Sequence, residues 1–218
     1  MTNRTDLNRM KSLLPTLPTS RRAAVRYRIR RNQMIKPWKR IRSQPSQSFR
    51  VFSIRTDTTL SPRTGVEHDF YVIQTRDWIN VIPLTDDDQV VMIRQYRHGS
   101  REVTLEIPGG LVDPGDTSKK AAARELLEET GYQAKKWTKI GMVNPNPALF
   151  NNRCHTYLAC SLQKVTEPTP DQTEDIEVVH LPLTNIPKLI LERKIDHAMV
   201  ITAFTHYFLR NPERLKKP

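Results

Sequence analysis

Glu125, Glu128 and Glu129 are the residues of this chain best placed to do chemistry together. They lie in a run rich in Ala, Leu, Glu and Lys. On a helix turning about 100° per residue they fall within roughly 100° of arc, so all three carboxylates share one face. Like charges on one face repel and raise one another's pKa unless something neutralises them. A hard divalent cation with oxygen ligands does so, and Mg²⁺ typically takes one or two carboxylates plus substrate phosphates. Arg124, one turn before Glu128, offsets part of the repulsion. The other reading of the same residues is a solvated acidic face held by i,i+4 pairs.

The neighbouring segments must hold this run in place. Thr117 suits an N-cap and Gly131 a stop, so a helix is expected between them, with Ala122, Ala123, Leu126 and Leu127 packing on a sheet. Before it, Pro108–Asp116 contains Gly109, Gly110, Pro114 and Gly115. It reads as a loop whose backbone approaches a ligand, and a carbonyl there can bind metal. Strands are expected at Phe49–Thr56, Asp69–Gln74, Trp78–Pro83, Gln89–Tyr96 and Glu102–Ile107, with turns at Pro62–Glu67 and Thr85–Asp88. Further strands are expected near Lys136–Val143, Arg153–Leu162 and Ile176–Leu181, then helices near Ile186–Arg193 and His197–Leu209. The pattern is mixed α and β with helices on the faces of a sheet.

The 218 residues carry 35 Lys+Arg against 23 Asp+Glu, a net charge of +12. The excess sits at one end. Residues 1–50 hold 14 basic residues and one acid, Asp6, whereas the rest holds 21 basic and 22 acidic residues. Residues 1–46 form a basic arm without periodicity, expected to be disordered. A tether to nucleic acid or to an anionic surface, an organelle transit peptide and a solvated extension all fit it, as does translation from Met34. The expected divisions are the arm (1–46), one domain (47–210) and a tail (211–218). No apolar signal-peptide core follows the charges, and no run approaches the roughly 18–20 residues of a membrane span. Cys154 and Cys160 lie six apart in one expected strand, too far to bridge. These features point to the cytoplasm.

The full spacing resembles the Nudix hydrolase signature. It stands here as Gly110, Asp116, then Arg124-Glu125-Leu126-Leu127-Glu128-Glu129-Thr130-Gly131-Tyr132, and eight of nine specified positions match. The departure is Asp116, where the family has Glu at a position that helps hold the loop and the arginine. The resemblance covers roughly residues 49–210. Gln95-Tyr96-Arg97 and Leu105-Glu106-Ile107-Pro108-Gly109-Gly110 are similar to the branch that hydrolyses ADP-ribose and nucleoside diphosphate sugars. Pro147 falls at that branch's proline, and Asn151-Asn152-Arg153, Thr173-Glu174-Asp175-Ile176 and Lys194-Ile195-Asp196-His197-Ala198 are similar to its later segments.

The resemblance implies an α+β fold, a Nudix-type α/β/α sandwich with a mixed sheet. It makes Glu125 and Glu129 the principal metal ligands, with the Gly109 carbonyl and Glu128 near them. Glu174 completes the metal cluster or polarises the attacking water. Some relatives carry a Glu where Gln172 stands. Gln takes no proton, so the base lies between Glu174, Asp171 and a cation-activated water without a side-chain base. Arg97 contacts the phosphates or the terminal sugar, or is a surface strand arginine. Glu106 holds a metal-bound water or a backbone amide, and Pro147 belongs to the substrate site. Trp78 stacks on a nucleobase or is a half-buried strand residue. His155 and the cysteines are structural.

The implied activity is hydrolysis of nucleoside diphosphate sugars with Mg²⁺ or Mn²⁺, ADP-ribose first, giving a nucleoside monophosphate and a sugar phosphate. The branch implies a homodimer paired through N-terminal strands, about residues 49–75. Two alternatives stand beside it. The basic arm suggests an RNA 5′-pyrophosphohydrolase, and Gln172 with Asp116 a non-catalytic nucleotide-sugar sensor.

Overall fold

Strand β4 (Trp78–Pro83) sorts the molecule into layers. Side chains alternate across a strand. Ile79 and Val81 therefore pack on one side, with Ala121, Ala122 and Leu126 of helix α1 (Ser118–Thr130). Ile82 packs on the other side, with Val200, Ala203 and Phe204 of helix α3 (Ala198–Arg210). The computed structural model describes residues 35–171 and 173–215.

Around β4 runs a mixed four-stranded sheet in the order β7 (Gly109–Leu111), β4, β9 (Cys154–Lys164), β8 (Tyr132–Val143). The β4–β9 pair is parallel. A second, antiparallel sheet runs β10 (Ile176–Pro182), β5 (Gln89–Arg97), β6 (Glu102–Glu106). A third joins β1 (Lys39–Ser48), β2 (Phe52–Leu60) and β3 (Glu67–Thr75) in antiparallel order. The short helix α2 (Ile186–Leu191) precedes α3, and its Ile186 joins the α3 core. The expected α+β sandwich is the observed fold.

Several expected boundaries move. The arm was expected to run to residue 46, yet Lys39–Ser48 is a strand, and the compact unit begins at Trp38. Every β1 residue is exposed, so no buried face leaves an alternating signature. Backbone pairing to β2 makes the strand, and one of its two register shifts follows Pro45, which has no N–H to give a ladder. Residues 1–34, the bulk of the arm, lie outside the described residues.

The first expected strand, Phe49–Thr56, is displaced to Phe52–Leu60, because Phe49 turns the chain by donating to the Phe52 carbonyl at 2.8 Å. The expected loop Pro108–Asp116 contains the three-residue strand β7, paired to β4. Residues 211–215 are no free tail: Pro212–Leu215 form a 3-10 turn, and Arg214 pairs with Asp88 at 2.7 Å.

Candidate active site

Helix α1 starts and stops where its sequence says. Thr117 accepts from the Lys120 amide at 3.2 Å, and Gly131 at φ 75° donates to the Leu127 carbonyl. Ala121, Ala122 and Leu126 bury against the sheet, whereas Ala123, expected to pack there, is exposed. The glutamate face then lies against β7. Glu129 is 1% exposed and accepts from the Gly109 amide at 3.0 Å. Gly110 faces Glu125 so closely that a Cβ would collide with its carboxylate. A Cβ on Gly109 would stand 2.6 Å from the Ile79 carbonyl oxygen. Glycines here let a strand and a carboxylate helix meet without side chains between them.

That approach costs solvation. Burial pushes Glu125 up to about 7, with Glu128 adding to the shift and Arg124 opposing it. Burial also raises Glu129 well above the usual carboxylate range, and the Glu125 charge raises it further. Arg124 lies among these groups. It donates to Glu125 Oε1 at 2.9 Å, to Glu128 Oε2 at 3.1 Å and to the Leu111 carbonyl at 3.1 Å. Asp113 also pairs with Arg124, at 3.2 Å, and with Arg76. Asp116, expected to support the arginine, instead pairs with Lys120 at 2.7 Å. Its side chain is one methylene shorter than the family's Glu, and Asp113 takes the role.

The loop carrying Glu174 docks on the end of α1. Thr169 donates to the Glu128 carbonyl at 2.7 Å, and Val165 to the Gly131 carbonyl at 2.9 Å. Glu174 is exposed and accepts from the Asp171 amide at 3.3 Å. Its charge reaches Glu125 and Glu129, raising both. Gln172 lies outside the described residues.

Among the described residues no three His, Cys, Asp or Glu side chains already converge as a metal cage. Arg124 lies between Glu125 and Glu128. The donor set nevertheless fits a hard divalent cation. It is all oxygen, and Glu129 is a buried carboxylate with a single N–H partner, which a nearby positive charge would stabilise in its ionised form.

Beside β7 opens a cavity of about 720 Å³. One part of its wall is aromatic: Trp78 and Phe150 meet edge to face, centroids 5.7 Å apart, with Phe52 of β2 also on the wall. Gly109 and Gly110 form another part. Arg97, Thr104, Glu106 and His197 supply polar groups.

Glu106 was expected to hold a metal-bound water or a backbone amide. It holds Arg97 instead, through a fork of two hydrogen bonds, both 2.7 Å, and accepts from Thr104 at 2.6 Å. Burial pushes Glu106 up, but Arg97 outweighs it and holds the carboxyl below its usual range. Arg97 in turn is held above its usual value, first by its hydrogen bonds to Glu106. Its side chain is 43% exposed, so part of it remains open.

Pro147 is not on the cavity wall of this chain. It is exposed in a turn in which Asn146 accepts from Leu149 and Phe150, and that turn delivers Phe150 to the wall. Asn151, Asn152 and Arg153 tie the start of β9 to the β3–β4 corner. Thr75 donates to Asn151, Asn152 to the Arg76 carbonyl, and the Arg153 amide to Asp77. His155 completes that corner against Asp77 at 2.9 Å. Trp78 is both half-buried and on the cavity wall. Phe52, Phe150 and Asp113 carry no signal in the sequence pattern, and His197 reads there only as a helix start within a similar segment. Their places depend on strand register and loop path, which local pattern does not encode.

The comparisons with known proteins agree with this geometry. The NUDIX domain model matches residues 74–204. An ADP-ribose pyrophosphatase of Bacillus subtilis (strain 168) is 33% identical over 139 residues, 63% of this chain and 74% of that protein. A methanol dehydrogenase activator of Bacillus methanolicus is 27% identical over 179 residues, 82% of this chain and 95% of that protein. A crystal structure of an ADP compounds hydrolase superposes with a TM-score of 0.74 at 23% identity, covering 84% of this chain and all of that one. Its likeness establishes the fold. With the signature carboxylates gathered on β7 and the domain matched across most of the folded unit, the chain belongs to the Nudix hydrolase family.

Proposed function

We propose that this chain hydrolyses the diphosphate bond of nucleoside diphosphate sugars with Mg²⁺, ADP-ribose foremost. One observation carries the reading: Glu125 and Glu129 are packed on Gly109 and Gly110, and those glycines also form the wall of an aromatic-lined cavity. Glu125, Glu129, Glu174 and the Gly109 carbonyl would hold the cation. A divalent cation there supplies charge neutralisation of the diphosphate and acidifies bound water.

The chain's own residues do the rest. Trp78 and Phe150, packed on each other, form the aromatic wall against which the nucleobase lies, and the open part of Arg97 meets the phosphates. Water attacks one phosphorus, a new P–O bond forms, and the bond to the bridging oxygen breaks. The water proton passes to Glu174, which is exposed and accepts from the Asp171 amide. Glu128 shares Arg124 with Glu125, drawing part of the arginine's charge off that ligand. The products are a nucleoside monophosphate and a sugar phosphate, so the atoms of one water are consumed.

Two copies pair through the β1–β3 sheet. Trp38, Ile41, Phe70 and Tyr71 leave apolar surface open there, and Trp38 stands edge to face on Phe70. The working compartment is the cytoplasm, in keeping with two free thiols. Among the described residues no helix is long and apolar enough to cross a membrane.

A substrate panel tests this reading: ADP-ribose, ADP-glucose, GDP-mannose, UDP-glucose and 5′-triphosphorylated RNA, each with Mg²⁺. ADP-ribose is expected to give the highest kcat/KM. Preferred turnover of the RNA, lost when residues 1–33 are deleted, would replace it with an RNA-directed activity. Binding of ADP-ribose without turnover would make the chain a sensor.

A further inference from the structure

His197 stands at the N-cap of α3, yet its side chain makes no capping hydrogen bond. Its carbonyl does the local work, accepting from the Val200 and Ile201 amides at 3.0 and 3.1 Å. The imidazole is left for something else. Nδ1 is closed to solvent without a hydrogen-bond partner, 4.0 Å from Glu106 Oε2. The side chain as a whole is 40% exposed and lines the cavity. Nε2 makes no hydrogen bond among the described residues and is not among their solvent-closed atoms. The ring thus turns one nitrogen toward a buried carboxylate and leaves the other open.

We propose that His197 is a specificity residue for the uncharged, hydroxyl-bearing sugar on the far side of the cleaved diphosphate. The proposal rests on the hydrolase reading above. In that reading the diphosphate lies at Gly109 and Gly110 and the nucleobase at Trp78 and Phe150. The distal group is left the wall formed by Glu106, Thr104 and His197.

The electrostatics there favour hydroxyls over another phosphate. Arg97 is forked to Glu106 and its open part serves the diphosphate, and Asp196 adds a negative charge to the cavity lining. A further phosphate would meet these carboxylates with no second Lys or Arg among the lining residues to offset them. A sugar hydroxyl both donates and accepts, so it satisfies Nε2 in either protonation state.

The test compares two substrates: ADP-ribose, and adenosine diphosphate methyl ester, in which a methyl group replaces the distal ribose. Wild type, His197→Ala and His197→Gln are assayed on both, with melting temperatures as the check on folding. His197→Ala is expected to raise KM for ADP-ribose about tenfold, the cost of about one hydrogen bond, with kcat changed far less. KM for the methyl ester should rise much less. His197→Gln, which also places a polar atom near the Nε2 position, should recover part of the loss. Equal losses on both substrates, or none on ADP-ribose, would overturn the assignment. Should wild type turn over neither substrate, the hydrolase reading itself would fail, an outcome distinct from loss of sugar discrimination.

Discussion

The Gly109 amide donates to Glu129 Oε2 at 3.0 Å, joining β7 to the last turn of α1. This bond places Glu129, the most buried carboxylate among the described residues, against the wall of the cavity. The adjacent glycine, Gly110, meets Glu125 so closely that the two elements are fixed relative to each other. The geometry of the site follows from this absence of side chains on β7.

Gly110→Ala should therefore act on the site first. The added methyl displaces Glu125, an overpacking change of the kind that costs about 1–3 kcal/mol. Thermal unfolding should show a lower Tm, and calorimetric Mg²⁺ titration a weaker affinity. Unchanged Mg²⁺ affinity would mean that Glu125 is not a ligand.

Glu125 makes the cation-free protein sensitive to pH. Burial pushes its pKa in the fold up to about 7, from an ordinary value of 4.5. The native state thus holds the proton more tightly than the unfolded chain does. Its contribution to stability falls as pH rises from about 4.5 to about 7, by on the order of 3 kcal/mol in total. Glu125→Gln should flatten that part of the Tm profile relative to wild type. Mg²⁺ should restore wild-type stability at neutral pH by favouring the ionised form. A profile identical in wild type and variant would refute the assignment.

Asp113 meets Arg124 at Nη2, the glutamates meeting it at Nη1, and pairs also with Arg76. About half of its side chain is exposed, so its ion pairs contribute little to stability, roughly 1 kcal/mol or less. Asp113→Asn should leave Tm nearly unchanged. It should weaken Mg²⁺ binding about threefold to tenfold, within the range typical of residues that orient ligands. Calorimetric titration reads this directly.

Trp78 should matter for the nucleobase and little for the chemical step. Its ring faces Phe150 on the cavity wall. Aromatic pairing is worth about 0.5–1.5 kcal/mol beyond buried area, so Trp78→Leu should raise KM for ADP-ribose about twofold to tenfold at similar kcat. Steady-state kinetics on ADP-ribose and UDP-glucose would show whether the loss follows the base.

Much of the carboxylate helix was legible before the fold was known. Thr117, Gly131 and the spacing of Glu125, Glu128 and Glu129 obey helix rules that act over a few residues. Strand β1 was not legible, because Lys39–Ser48 buries no face and is made by backbone pairing. Strand β7 hid in a glycine-rich stretch, since three residues carry no period. The Arg97–Glu106 fork depends on the β5–β6 register, in which Arg97 lies opposite Glu102 and Glu106 opposite Ile93. Phe150 reaches the cavity only through the turn at Asn146. Such relations belong to tertiary placement, which local pattern leaves open.

The most direct test of the account is release of AMP from ADP-ribose with Mg²⁺, measured for wild type and Glu129→Gln. The account predicts AMP and ribose phosphate in equal amounts from wild type. It predicts a loss of at least about 100-fold in the variant, with its fold intact by circular dichroism. AMP release within about threefold of wild type in Glu129→Gln would contradict the central claim, as would a wild-type protein that binds ADP-ribose and releases nothing.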